Sequence, residues 1–147
     1  FTMMPIIKIA YQEAYIPYLE HRIDEKTAFF RAQKPLRHFM IRQTREKDLQ
    51  LLFELGKINK PRQMKDIPLY LLAPAFLLSE LQTAFQIGFI IFLPFLLVDL
   101  VVSGLLMTMG MMMVPPASIA LPIKILVFVL IDGWNIVIQS LVNSFHI

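Results

Sequence analysis

Leu81–Val98 (LQTAFQIGFIIFLPFLLV), Asp99 and Leu100–Ile123 (LVVSGLLMTMGMMMVPPASIALPI) together hold a single charged side chain. A bilayer core of ~30 Å takes about 20 helical residues. The uncharged runs of 18 and 24 residues therefore predict two apolar helices, roughly residues 83–110 and 117–144, folded as a hairpin. The connection Met111-Met112-Met113-Val114-Pro115-Pro116 is its tip, because successive prolines remove backbone donors and hold the chain extended. Pro94, deep in the first helix, frees a carbonyl one turn back and predicts a kink. Gly88 and Gly104 suit close packing against another helix.

Outward from this stretch the contrast widens. Residues 67–147 carry only Glu80, Asp99, Lys124 and Asp132, whereas residues 1–66 carry 13 Lys/Arg and 8 Asp/Glu. A soluble domain is about a quarter charged throughout, so the 147-residue chain divides into two differently solvated parts: an amphipathic helical module over 1–66 and an apolar hairpin over 67–147. The fold class is all-α, a helical membrane-associated protein with a soluble module followed by a kinked hydrophobic hairpin. A hydrophobic content of 56% fits that reading, as does a mean hydropathy of +0.60. The absence of Cys excludes disulfides, thiolate metal sites and cysteine nucleophiles. The chain starts at Phe1 with no visible signal peptide, and the expectation is that further sequence precedes it.

In the first part, Met3, Ile6, Ile7, Ala10, Ala14, Tyr15 and Tyr18 recur at helical spacing, with Thr2 placed to cap, Pro5 in the first turn and Pro17 as a stop. Asp24 caps a second helix that meets Pro35. A third runs from Pro35 towards Leu55, ends at Gly56, and has Thr44 or Asp48 as a restart cap. Arg37, Arg42, Arg45 and Lys47 are interleaved with Glu46 and Asp48, which describes a solvated helix face rather than a nucleic-acid surface. Lys57, Lys60, Arg62 and Lys65 form a basic linker suited to a membrane surface or an acidic partner.

Depth arithmetic from the tip, at ~1.5 Å per residue, puts Asp99 about 16 Å down one helix, Lys124 about 12 Å and Asp132 about 24 Å down the other. Asp99 and Lys124 are expected to pair, within the hairpin or between copies, since an isolated ion in an apolar setting costs several kcal/mol. Asp99 and Asp132 differ in depth by about 8 Å, too far for the shared proton of an aspartyl protease dyad at ~3 Å. His21, His38 and His146 lack metal-ligand spacing, and no Gly-x-Ser-x-Gly or phosphate loop occurs, so no catalytic residue and no cofactor is indicated. Glu80, the lone charge between Asp66 and Asp99, is expected to contact Arg45 or Arg42, in one chain or between copies.

Five of the nine methionines fall within seven residues: Met107, Met109, Met111, Met112 and Met113, around Gly110. Unbranched, polarizable and rotamer-rich, they can close an apolar constriction and rearrange around varied chains. A Met-rich core or lipid contact is the plainer reading.

These residues, with Thr83-Ala84-Phe85-Gln86-Ile87-Gly88-Phe89, Leu93-Pro94-Phe95, Leu121-Pro122-Ile123-Lys124 and Val129-Leu130-Ile131-Asp132-Gly133-Trp134, resemble the FliP family of flagellar type III export-apparatus proteins. The likeness reaches back through Phe1-Thr2-Met3-Met4-Pro5 and Arg42-Gln43-Thr44-Arg45-Glu46. Val114-Pro115-Pro116 resembles the flagellar branch more than its injectisome relative. The resemblance implies a missing N-terminal portion and a non-enzymatic subunit of the export gate for unfolded flagellar proteins. It also implies a homo-pentamer that assembles with FliQ and FliR, with FlhB attached. The implied location is the bacterial inner membrane at the flagellar basal body, largely on the periplasmic side, although the basic first part alone would suggest the cytoplasm. Met109 and Met111–Met113 match the family's methionine seal, with Gly110, Pro115 and Pro116 shaping its loop. A multispan channel or transporter acting alone, and a membrane adaptor with no conduit, are the rival expectations.

Overall fold

The computed structural model describes residues 1–59, 61 and 66–146, and among these every regular element is helical. Of the basic linker, Lys60, Arg62 and Lys65 lie outside the described residues. The chain forms two compact units. One comprises residues 1–82 with Phe145 and His146, and the other runs from Thr83 to Ser144. The unit boundary thus falls at Gln82, while the charge density changes near Asp66.

In the first unit, α1 (Met4–Ala10) passes into a π-helical turn (Tyr11–Tyr15) and then α2 (Ile16–Leu19). Pro17 does not stop the helix where expected. The wider turn directly before it changes the hydrogen-bond register and so accommodates the missing donor. Met3 rather than Thr2 is the cap residue, with Pro5 in the first turn. Ile6 and Ala14 are buried.

Asp24 starts α3 (Glu25–Gln43), and its carboxylate accepts a hydrogen bond from the Thr27 hydroxyl. That bond holds the Asp24 carboxyl below the ordinary carboxylate range. Pro35 lies inside α3 and does not divide it, contrary to expectation. An interior proline costs ~3 kcal/mol, and packing offsets it here: Phe39 is buried, 5.9 Å from the Phe76 ring and 6.3 Å from the Phe145 ring. The division comes instead at Thr44–Arg45, where the backbone turns extended before α4 (Glu46–Leu55).

That break is held by buried polar groups. The Thr44 hydroxyl donates to the Met40 carbonyl (2.6 Å), and the Arg45 N–H donates to Ser79 Oγ (2.9 Å). The Ser79 hydroxyl, on α5 (Leu69–Thr108) and only 1% exposed, in turn donates to Asp48 Oδ2 at 2.6 Å. Beside it, Gln43 brackets the backbone of a single residue: its Nε2 donates to the His146 carbonyl (2.8 Å) and its Oε1 accepts from the His146 N–H (3.1 Å). Leu49 and Phe53 of α4 pack with Ile67, Leu71, Leu72 and Ala75. The core beneath the charged module is therefore built partly from the apolar sequence that follows it.

The helix α5 begins directly after Pro68 and runs 40 residues through Pro74 and Pro94, where the sequence suggested a start near Thr83. At 1.5 Å per residue it is about 60 Å long, twice a hydrocarbon core. Its first part is covered by the first unit's core, at Leu71, Leu72, Ala75 and Ser79. The remainder belongs to the second unit with α6 (Pro116–Leu130) and α7 (Gly133–Asn143).

The expected continuous helix over 117–144 is in fact two helices bent by 62°. Asp132 takes a left-handed conformation (φ 54°) and caps α7, and its Oδ2 accepts from Asn135 Nδ2 at 3.1 Å. The bend is packed rather than loose. A Cβ on Gly133 would lie 2.3 Å from the Phe128 ring, which meets Trp134 edge-on at 5.2 Å. Among the described residues one helix is long and apolar enough to cross a membrane, or two if the bent pair counts as one span. It is an all-α, membrane-associated protein.

Candidate functional site

The second unit is held by little of its own. Val102 and Leu106 of α5 pack with Ala120 of α6, joined by Val98, at helical spacing along one seam. Most other large side chains of the unit, Phe85, Phe89, Leu97, Leu121, Leu126 and Leu130 among them, are exposed in the single chain. Such a surface requires lipid or protein around it.

On the same seam, Lys124 Nζ lies 2.7 Å from Asp99 Oδ1, with side chains 28% and 38% exposed. The two charges sit one helical turn beyond Ala120 and one residue beyond Val98, so the apolar seam continues directly into the ion pair. Asp132 is exposed and serves as the cap at the bend. Arg45 and Glu80 belong to the first unit. The Arg45 N–H bonds the hydroxyl of Ser79, the residue before Glu80, so both lie at one joint, and Glu80 is half-buried.

At the tip, α5 ends in a paired-bond turn. Gly110 is left-handed (φ 71°), the Met111 N–H donates to the Leu106 carbonyl (3.0 Å), and the Gly110 N–H donates to the Met107 carbonyl (3.2 Å). This is the Schellman stop, in which glycine accepts a conformation other residues resist. It reverses the chain so that Met111–Met113 run across the end of the hairpin. Pro115 is extended and Pro116 opens α6, where its missing N–H costs nothing. Met112 and Met113 are 83% and 98% exposed, and Met107 and Met109 also project outward. The cluster is a presented apolar edge and not a core. Gly88 and Gly104 face open space in the single chain, leaving room for a neighbour. Pro94 lies within unbroken α5.

Sequence reasoning missed the polar joint of Gln43, Asp48, Ser79 and His146. Its only sequence signals were a hydroxyl inside an apolar run and a capping carboxylate three residues after Arg45. Among the described residues no group of three His, Asp or Glu side chains is placed to hold a metal ion.

The sequence profile of the FliP family matches residues 1–141. The chain is 50% identical over 145 residues to the flagellar biosynthetic protein FliP of Bacillus subtilis, covering 99% of this chain and 66% of that protein. It is 49% identical over 146 residues to the protein of the same name from Pectobacterium carotovorum, covering 99% of this chain and 57% of the relative. The Caulobacter vibrioides protein of that name is 48% identical over 145 residues, with 99% and 54% covered. The chain thus spans between about half and two thirds of the length of these relatives. With a family match across nearly its whole length, and the Met-rich turn and apolar hairpin in place, the chain belongs to the FliP family.

Proposed function

We propose that the chain is a subunit of the flagellar type III protein export gate, in which methionine loops from several copies converge to close a pore until an unfolded substrate enters. The observation that carries this reading is the exposure of Met112 and Met113 on a rigidly terminated turn. A soft apolar edge held at a fixed hairpin end can seal against like edges and yield to passing chains of differing sequence. Met109 and Met111 extend the same edge, and Gly110, Pro115 and Pro116 fix its direction. The relatives' name, flagellar biosynthetic protein, supports the flagellar setting. The exposed apolar faces of α5–α7 support close packing against protein or lipid; the assembly we propose to supply it is a homo-pentamer with FliQ, FliR and FlhB at the inner membrane, largely on its periplasmic side.

In this assembly Asp99 and Lys124 pair to keep the hairpin's charges neutral, and Arg45 meets Glu80 at the joint between the helix break and α5. The role is mechanical, with no bond made or broken in the substrate. Replacing Met111–Met113 with Ala in the full-length protein tests the reading. The expected result is ion leakage through closed gates or altered export of flagellar subunits. Unchanged membrane conductance and secretion would count decisively against the seal.

A further inference from the structure

The first unit carries a groove that the gate reading leaves unused. It lies between α1 and α3 and has a volume of about 750 Å³, within the range of small-molecule and lipid-sized sites. Pro5, Ile6 and Ile9 form one wall, and Phe30 and Phe39 contribute to the other. The rim is of a different character. Arg31, Lys34 and Arg42 line it at helical spacing along one side of α3, about 16 Å from first to last. All three are exposed and, among the described residues, form no hydrogen bond or ion pair. Glu13 is the one carboxylate in the lining.

We infer that this groove binds an anionic phospholipid, its charged headgroup lying along the rim formed by Arg31, Lys34 and Arg42 and an acyl chain along Ile6, Ile9 and Phe30. Two features select this occupant. An apolar trough edged by unpaired cations complements a molecule that is anionic at one end and hydrocarbon at the other. A second copy presenting its own first part is disfavoured by like charge, since residues 1–66 carry 13 basic against 8 acidic side chains. The groove-bearing helix is also tied to the apolar half, because the Arg37 guanidinium donates to the carbonyl of Ile67, two residues before α5 begins. An exposed cation in contact with an anionic headgroup gains at most about 1 kcal/mol, up to about fivefold in affinity per cation.

The test titrates the full-length protein in neutral detergent with phosphatidylglycerol and, separately, phosphatidylcholine, counting bound lipid by native mass spectrometry. Wild-type protein is expected to prefer phosphatidylglycerol at least tenfold. The triple variant Arg31→Gln, Lys34→Gln, Arg42→Gln should lose that same factor, at least tenfold, in affinity for phosphatidylglycerol and fall to the phosphatidylcholine level. A charge-matched control, Lys26→Gln, Lys47→Gln, Lys57→Gln, changes exposed cations outside the groove and should retain wild-type binding. Circular dichroism on both triples confirms equal helicity. A second variant, Ile9→Ser with Phe30→Ser, should weaken binding while leaving the three cations in place. Equal binding of the two lipids by wild type leaves the groove to a protein segment and overturns the proposal. So do wild-type affinity in the groove triple and an equal loss in the control.

Discussion

Replacing Lys124 by Met removes the only cation of the apolar half and leaves the Asp99 carboxylate beside an apolar seam. At 2.7 Å the gross attraction is about 6 kcal/mol at an effective dielectric constant near 20 and about 1.5 kcal/mol in water. Desolvation offsets part of either figure. A pair open to water is worth at most ~1 kcal/mol, whereas breaking an enclosed pair costs ~3–5 kcal/mol because the remaining charge is stranded. The side chains are about a third exposed in the single chain. The proposed assembly would enclose them further, and the coupling expected there is about 2 kcal/mol. The assay is a double-mutant cycle of Asp99→Asn and Lys124→Met, read by reversible denaturant unfolding of the full-length protein in micelles and again in assembled complexes. The double variant should recover much of what Lys124→Met loses, and the coupling should grow on assembly. A coupling below ~0.5 kcal/mol in both settings would refute the reasoning and mark the pair as a solvated contact.

Other expectations concern the joint, the bend and the α3 cap. Ser79→Ala strands the Arg45 N–H and the Asp48 carboxylate in the core and should cost ~1–3 kcal/mol, measured by the same unfolding assay. Ser79→Thr should recover part of that only if its methyl group finds room. Gly133→Ala drives a methyl group into the Phe128 ring and should destabilise by ~1–3 kcal/mol, with increased amide exchange around Asp132. Asp24 supplies a pH dependence. Its folded carboxyl titrates below the ordinary value of 3.8, so its stabilising effect is whole above that value and is lost as pH falls through the lower folded one. Amide exchange over residues 25–28 should rise over that acid window, and Thr27→Val should flatten the rise.

The legible parts of this fold were those decided by composition. A single charge in residues 81–123 marks an apolar hairpin whatever surrounds it, and depth counting brought Asp99 near Lys124 because helix rise is nearly invariant. The helix ends were harder. The helices α2, α4, α5 and α6 all stop at a left-handed residue: His21, Lys57, Gly110 and Asp132. Only Gly110 announces itself in the sequence. At α4 the expected glycine, Gly56, sits one place earlier with an ordinary φ of −75°, and Lys57 makes the turn. The prolines misled in the other direction. Pro17 and Pro35 lie within helical stretches: the π-helical turn before Pro17 accommodates its missing donor, and the packing of Phe39 outweighs the hydrogen bond lost at Pro35. The joint at Ser79 was hidden for a related reason: one hydroxyl in an apolar run acquires meaning only when Arg45 and Asp48 are brought to it from 34 and 31 residues away. The Met-rich turn was visible as a cluster, but its exposure, which separates a seal from a core, is a property of the folded hairpin.

Residues 1–147 contain no cysteine, so one introduced at Met112 reports on the tip alone once any cysteines elsewhere in the full-length protein are removed. The decisive measurement is oxidative cross-linking of Met112→Cys in native membranes, paired with quenching of a fluorophore on the same residue by lipid-soluble and water-soluble agents. Convergent loops predict efficient cross-links between copies and protection from the lipid-soluble quencher. Absent cross-links together with strong quenching from lipid would contradict the account, placing the methionines in the bilayer and not around a pore.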